Sequence, residues 1–315
     1  MDVLVIGGTR FLGLSIVRSL SAYGHHAIVA HRGLTTARLP EDVQECHLDV
    51  RDRKDLKECL EYQPFDAVID TILNVADLEY IVPLVRRKAK RFIHCGSTGV
   101  YTPMKRIPAH ENDTCEPHPE LGGFEQKLRQ DRYLLDEYRE NGFPATILRP
   151  TNIYGPGDIP LDIWGGRSSG FFRRLLRHEL VTLPNDGRSL LQPGYVSELG
   201  EAFVQALEAP EAIGQVYNIS SAQAVTLREY LATIREALSS RSPVVYAPME
   251  SILERFLPSR HVNESGLRFV CEHMCVDINK ARRELGYMPL MSLEEGMARN
   301  LRWMREAGHL PPAGI

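Results

Sequence analysis

Four aliphatic residues, Val3-Leu4-Val5-Ile6, are followed at once by two glycines and then by a segment whose apolar positions recur at helical spacing as far as Gly24. The pattern predicts a strand over 3–6, a tight turn and a helix over 14–23. Short apolar runs return at 27–30, 44–48, 67–69 and 91–94, with amphipathic stretches between them. A longer helix is predicted over 125–140 and a further strand over 145–148. Strands alternating with helices at this spacing predict an α/β fold with a doubly wound, parallel, Rossmann-type sheet.

After Arg149-Pro150 the texture changes, and Gly and Pro become frequent as far as Gly170. A helix over 196–208 and a strand over 215–219 then resume the first pattern. The chain is therefore expected to divide unevenly. Residues 1–165, with 186–220 returning to them, form a dinucleotide-binding domain; 166–185 and 221–315 form a smaller, interleaved α/β substrate domain.

Composition narrows the function classes. The 315 residues, 43% hydrophobic and 25% charged, suffice for a substantial core. A balance of 37 Lys and Arg against 41 Asp and Glu gives a formal net charge of -4, so no global field recruits nucleic acid or an anionic membrane. The densest basic run, Arg86 to Arg91, falls where a helix ends before a strand, and the helix dipole accounts for cations there. No run reaches the roughly 18 apolar residues of a membrane span, and a cytoplasmic protein is expected. Six cysteines, at 46, 59, 95, 115, 271 and 275, lack Cys-x-x-Cys spacing and read as reduced thiols. Cys271, His273 and Cys275 alternate as a strand would place them on one face, a pattern too thin for a metal site, and no metal is expected.

The chemistry concentrates in the first turn. Gly7-Gly8-Thr9-Arg10-Phe11-Leu12-Gly13 follows a strand and opens a helix, the context a dinucleotide turn requires. Gly7 permits the turn, Gly8 keeps the backbone bare, and Gly13 lets helix and sheet approach, so that the helix amino terminus faces the pyrophosphate. The second strand ends in His31-Arg32, where an NAD-selective site would place a carboxylate. Arg32, helped by Arg10, Thr35 and Thr36, suits an adenosine 2′-phosphate, so NADP is expected over NAD. Asp49 and Val50, after the third strand, are placed to meet the adenine edge.

With GSTGVY at 96–101, RPTNIYGPGD at 149–158, DINKARRELGY at 277–287 and SLEEG at 292–296, the chain resembles the extended short-chain dehydrogenase/reductase superfamily over nearly its whole length. That group includes nucleotide-sugar epimerases and dehydratases, and the resemblance implies hydride transfer on a nucleotide-linked sugar or similar polyol. It implies roles for Lys127 at the nicotinamide ribose, for Ser97 with Thr98 at the substrate hydroxyl, and for Asn152 at a substrate diphosphate. A homodimer formed through the 127–138 helix is a further implication.

The departures are as informative. The superfamily's central turn glycine is Arg10 here, as in atypical members, and the tyrosine of its Tyr-x-x-x-Lys pair is replaced by Gly123. Without that tyrosine the proton relay falls to Ser97, Thr98, Lys127, or a tyrosine from elsewhere such as Tyr101 or Tyr133. Tyr101 and Lys105 have the right spacing, but Pro103 between them argues against a helical turn. The arginine expected before Tyr195-Val196-Ser197-Glu198 is Leu191, leaving Arg188, Arg268 or Arg260 to bind substrate phosphate. Some atypical relatives with a similar turn bind RNA. A non-catalytic dinucleotide-binding protein, RNA-binding or a regulatory NADP sensor, is thus the alternative to the enzyme, with the acidic net charge weighing against RNA.

Overall fold

The computed structural model describes residues 1–35, 37–121, 123–256 and 262–312. Its amino-terminal half runs β1 (Asp2–Ile6), α1 (Phe11–Ala22), β2 (His26–His31), β3 (Gln44–His47), α2 (Arg53–Tyr62), β4 (Ala67–Asp70), α3 (Val75–Val85), β5 (Arg91–Cys95), α4 (Phe124–Asn141) and β6 (Ala145–Pro150). Beyond it come β7 (Ile153–Tyr154), α5 (Ser169–Leu176), β8 (Val181–Pro184), β9 (Leu190–Leu191), β10 (Gly194–Tyr195), α6 (Val196–Glu208) and β11 (Val216–Ile219). The remainder is β12 (Val225–Thr226), α7 (Leu227–Ala237), β13 (Val244–Ala247), α8 (Met249–Phe256), α9 (Glu264–Cys271), α10 (Asn279–Leu285) and α11 (Leu293–Glu306).

Seven parallel strands form the central sheet in the order β11-β6-β5-β4-β1-β2-β3. The chain winds outward in one direction from β1 through β2 and β3, then returns to β1's other edge with β4, which creates a switch point between β1 and β4. The sheet is buried on both faces, so its inner strands read as unbroken apolar runs rather than as alternation. One face packs Val3, Val5 and Val29 against α1 and α6, where Ile16, Leu20 and Phe203 are fully buried. The other packs Leu4, Ile6 and Phe92 against α2 and α3, with Leu134 of α4 closing the end. A separate core collects Trp164, Phe172, Tyr230, Leu267 and Met304 beyond the carboxyl edge of the sheet.

A buried polar knot ties α4 to the sheet. Arg149 on β6 donates to Asp131 on α4 at 2.8 Å and to the Tyr101 hydroxyl at 2.5 Å, and Tyr101 donates onward to Asn218 of β11 at 3.0 Å. Arg149 is only 4% exposed, so its charge persists there because Asp131 neutralises it and Tyr101 takes a further donor.

The structure corrects one expectation near the carboxyl terminus. Cys271 closes helix α9 and is not part of a strand, because Asn263 caps that helix and Leu267 and Val270 bury at helical spacing. His273 instead accepts a hydrogen bond from the Leu190 amide. Among the described residues, no helix is long and apolar enough to cross a membrane.

Candidate cofactor groove

The turn after β1 is shaped by what its glycines exclude. Gly7 has φ +92, and a Cβ there would lie 2.5 Å from Thr71 Oγ1. At Gly13 a Cβ would fall 1.9 Å from the Gly7 carbonyl oxygen, so helix α1 approaches the turn as closely as backbone permits. Gly8 differs from its expected part: its missing side chain leaves room for Val17 and Val29, each 2.9 Å from the Cβ position, and so it serves the core and not the groove. Arg10 precedes α1 without capping it through its side chain, which leaves the helix's first N–H groups open to an anion.

Two clefts extend from this turn along the carboxyl edge of the sheet, sharing Gly7, Arg10 and Ile72. The first, of about 340 Å³, is lined by Thr9, His31, Arg32, Thr35, Asp49 and Val50 among others. Arg32 is exposed and pairs with no described acid. Thr36 lies outside the described residues.

An acid does stand close to the end of β2, but it comes from β3. Glu45 Oε2 lies 2.7 Å from His31 Nε2 and 3.5 Å from His47 Nε2, and these hydrogen bonds hold its carboxyl below the usual range. The three side chains are grouped closely enough to suggest a cation site. However, His31 Nδ1 accepts from the Gly33 amide at 3.1 Å, so in the neutral ring Nε2 carries the proton and offers no lone pair to a metal. The cluster is a hydrogen-bonded brace that keeps Glu45 out of the cleft.

The second cleft, of about 640 Å³, holds Phe11, Leu12 and Gly13 on one wall and Ser97, Lys127 and Asn152 on the others. Lys127 is in the first turn of α4 and donates to the Cys95 carbonyl at 2.8 Å. Ser97 Oγ accepts from the Gly99 amide at 3.1 Å, which leaves its own proton free to point elsewhere. Both polar atoms of the Asn152 side chain are buried without a partner in the chain, an arrangement that anticipates a ligand. Thr98 is turned away, buried and donating to the Pro150 carbonyl. The Cys95 thiol also reaches this cleft, and burial pushes it up to about 11, keeping it protonated and inert.

Among the described residues no tyrosine lines either cleft. Tyr101 is committed to Arg149 and Asn218, and burial raises its hydroxyl well above the ordinary value. Tyr133 packs on the α3 side of α4, where burial, and then Glu137, push it up to about 12. Gly123 occupies the amino-terminal end of α4 with φ +75, and nothing lies within 4 Å of where its Cβ would be. The space a side chain there would fill is open.

The phosphate-binding candidates scatter. Arg188 is exposed on a turn beside Asp186, and Arg268 pairs with Glu264 at 2.8 Å in a different cleft. Arg260 lies outside the described residues. Arg167 does border the second cleft, but its guanidinium donates to the Ile153 and Ile159 carbonyls.

Sequence reasoning missed the loop after β4. Asp70, fully buried, accepts from the Ile72 and Leu73 amides and binds His94 Nδ1 at 2.7 Å, so that Ile72 is pinned over Gly7. The available signal was a polar residue closing each of two apolar runs, AVID and RFIH, whose ends are register partners.

A bare turn at the switch point of a parallel sheet, an uncapped helix pointing into it and a lysine beyond define a dinucleotide-binding α/β protein. More specifically, the chain belongs to the NAD-dependent epimerase/dehydratase family, whose pattern matches residues 3–220. It is 29% identical to a chloroplast stem-loop binding protein of 41 kDa from Arabidopsis thaliana, over 94% of this chain and 77% of that one. A putative UDP-glucose 4-epimerase of Methanocaldococcus jannaschii is 24% identical, covering 96% of this chain and 98% of its own. The fold matches a UDP-glucose 4-epimerase of Thermotoga maritima, crystallised with UDP-glucose, at a TM-score of 0.77 and 23% identity, over 98% of this chain and 99% of that one.

The close contact at Gly13 yields a direct test. Gly13→Val must displace α1 from the Gly7 carbonyl, so cofactor binding measured by calorimetry should vanish while the circular dichroism spectrum stays that of a folded protein. A folded Gly13→Val protein that binds the dinucleotide normally would place the site elsewhere.

Proposed function

We propose that the protein is an NAD(P)-dependent enzyme of the epimerase, dehydratase or ketoreductase type, moving a hydride at a carbinol carbon of a nucleotide-linked sugar or similar polyol. The observation that carries this reading is the retention of Lys127 and Ser97 in one cleft, contiguous with the glycine turn, where no tyrosine among the described residues reaches. When bound, the dinucleotide supplies the hydride acceptor and donor. The chain's residues do the rest. The open amides of α1, with Arg10, hold the pyrophosphate, and Arg32 holds the adenosine end. Ser97 orients the substrate hydroxyl with its free proton, Asn152 uses its unpartnered amide to fix the substrate, and Lys127 exchanges the proton that a tyrosine would otherwise carry.

NADP is the expected cofactor, because Arg32 pairs with no acid among the described residues and Glu45, beside the end of β2, is held by His31 and His47. A charge-assisted contact to a 2′-phosphate gives NADP+ an advantage over NAD+ of roughly tenfold or more. Titration calorimetry should find this preference and find it lost in Arg32→Ala; equal affinities in the unmodified protein would refute it.

Turnover is tested on a panel of nucleotide sugars. Lys127→Met should lower it by about 10²–10⁴ while changing NADP+ affinity little, as removal of a general acid/base does. A parallel collapse of affinity would reduce Lys127 to a cofactor ligand. Loss of turnover in Tyr101→Phe or Tyr133→Phe, with binding spared, would give the role to that tyrosine. If the unmodified protein turns over nothing, the enzymatic reading fails and the non-catalytic one takes its place.

A further inference from the structure

Cys46 on β3 and Cys59 on α2 point at each other with their sulfurs 3.2 Å apart, and both are half-buried, so small oxidants can reach them. No other two cysteine sulfurs among the described residues are hydrogen-bonded to each other. Cys95 and Cys115 donate to the carbonyls of Gly96 and Asp113 instead. A bonded pair sits at about 2.05 Å, so closure brings the two sulfurs together by roughly 1 Å. The two residues are thirteen positions apart, and the segment between them carries Leu48, Asp49, Val50 and Arg51, all of which line the first cleft.

We propose that Cys46 and Cys59 form a reversible disulfide that ties β3 to α2 and fixes the intervening loop, so that oxidation stabilises the protein and tightens its hold on the adenosine end of the cofactor. The bridge itself stands on the sulfur geometry; its effect on the cofactor rests on the reading of the first cleft given above. The oxidant is a low-molecular-weight disulfide. One cysteine of the pair, as its thiolate, attacks one of the oxidant's sulfurs and expels the first small thiolate, giving a mixed disulfide. The other, after losing its proton, attacks the protein sulfur of that mixed disulfide and expels the second. Two protein thiols are oxidised, one small disulfide is reduced to two thiols, and the two protons end on those products.

Burial and the neighbouring Cys46 sulfur push the Cys59 thiol up to about 12. Either sulfur can donate in the contact between them. Closing the loop removes freedom from the unfolded chain.

The full-length protein is incubated with oxidised glutathione and then analysed by intact mass, peptide mapping, thermal unfolding and NADP+ titration. The expected result is a loss of two mass units, a peptide joining Cys46 to Cys59, a Tm raised by about 5 °C and NADP+ affinity raised severalfold. Dithiothreitol should reverse all four, and neither Cys59→Ser nor Cys46→Ala should show any. A stable glutathione adduct without the joined peptide overturns the proposal, as does a joined peptide with an unchanged Tm. Failure of the cofactor reading is distinguishable: the reduced protein would bind no NADP+, while the joined peptide and the Tm shift would still appear and support the bridge.

Discussion

The structure depends on the contact between helix α1 and the turn that precedes it. With a hydrogen in place of a side chain at Gly13, the helix backbone rests against the Gly7 carbonyl. The amino terminus of α1 is thereby set at the switch point between β1 and β4, where the sheet's own topology opens a crevice. Gly8 supports the same approach from beneath by admitting Val17 and Val29. On the far side of the crevice, Asp70 and His94 hold the loop that carries Ile72 across the turn. The groove is thus a consequence of backbone proximity, and the charged residues on its walls take their positions from it.

Gly123 stands where the resemblance implies a tyrosine, and the framework around it is continuous. Gly123 adopts a left-handed conformation that starts α4, and Lys127 follows within the first turn, anchored on the Cys95 carbonyl. Tyr101 and Tyr133 are spent on structure: Tyr101 completes the Arg149–Asp131 knot, and Tyr133 packs toward α3. What lines the second cleft is a lysine, a serine hydroxyl and an unpartnered asparagine.

Much of this is legible in the sequence. The alternation of apolar runs with amphipathic segments is local information, and it placed the sheet strands and α1 to within a few residues. The glycine turn was legible because strand, turn and helix are contiguous. Long-range partnerships were not. Nothing in the spacing announces that Glu45 reaches across to His31, that Asp70 meets His94, or that Cys46 meets Cys59, since each pair is joined by sheet register or by helix packing on the sheet. The Cys271 segment was misread because a three-residue alternation is shorter than the helix that overrides it. Arg188 and Arg268 had no tight motif behind them, and local acids claim both on the surface.

One dinucleotide is proposed to span both clefts across the α1 amino terminus. A crystal structure of the protein grown with NADP+ tests this. The 2′-phosphate is expected beside Arg32, the pyrophosphate on the first amides of α1, and the nicotinamide end between Ser97 and Lys127. A dinucleotide bound away from the α1 amino terminus, or bound there with its nicotinamide end directed away from Lys127, would contradict it.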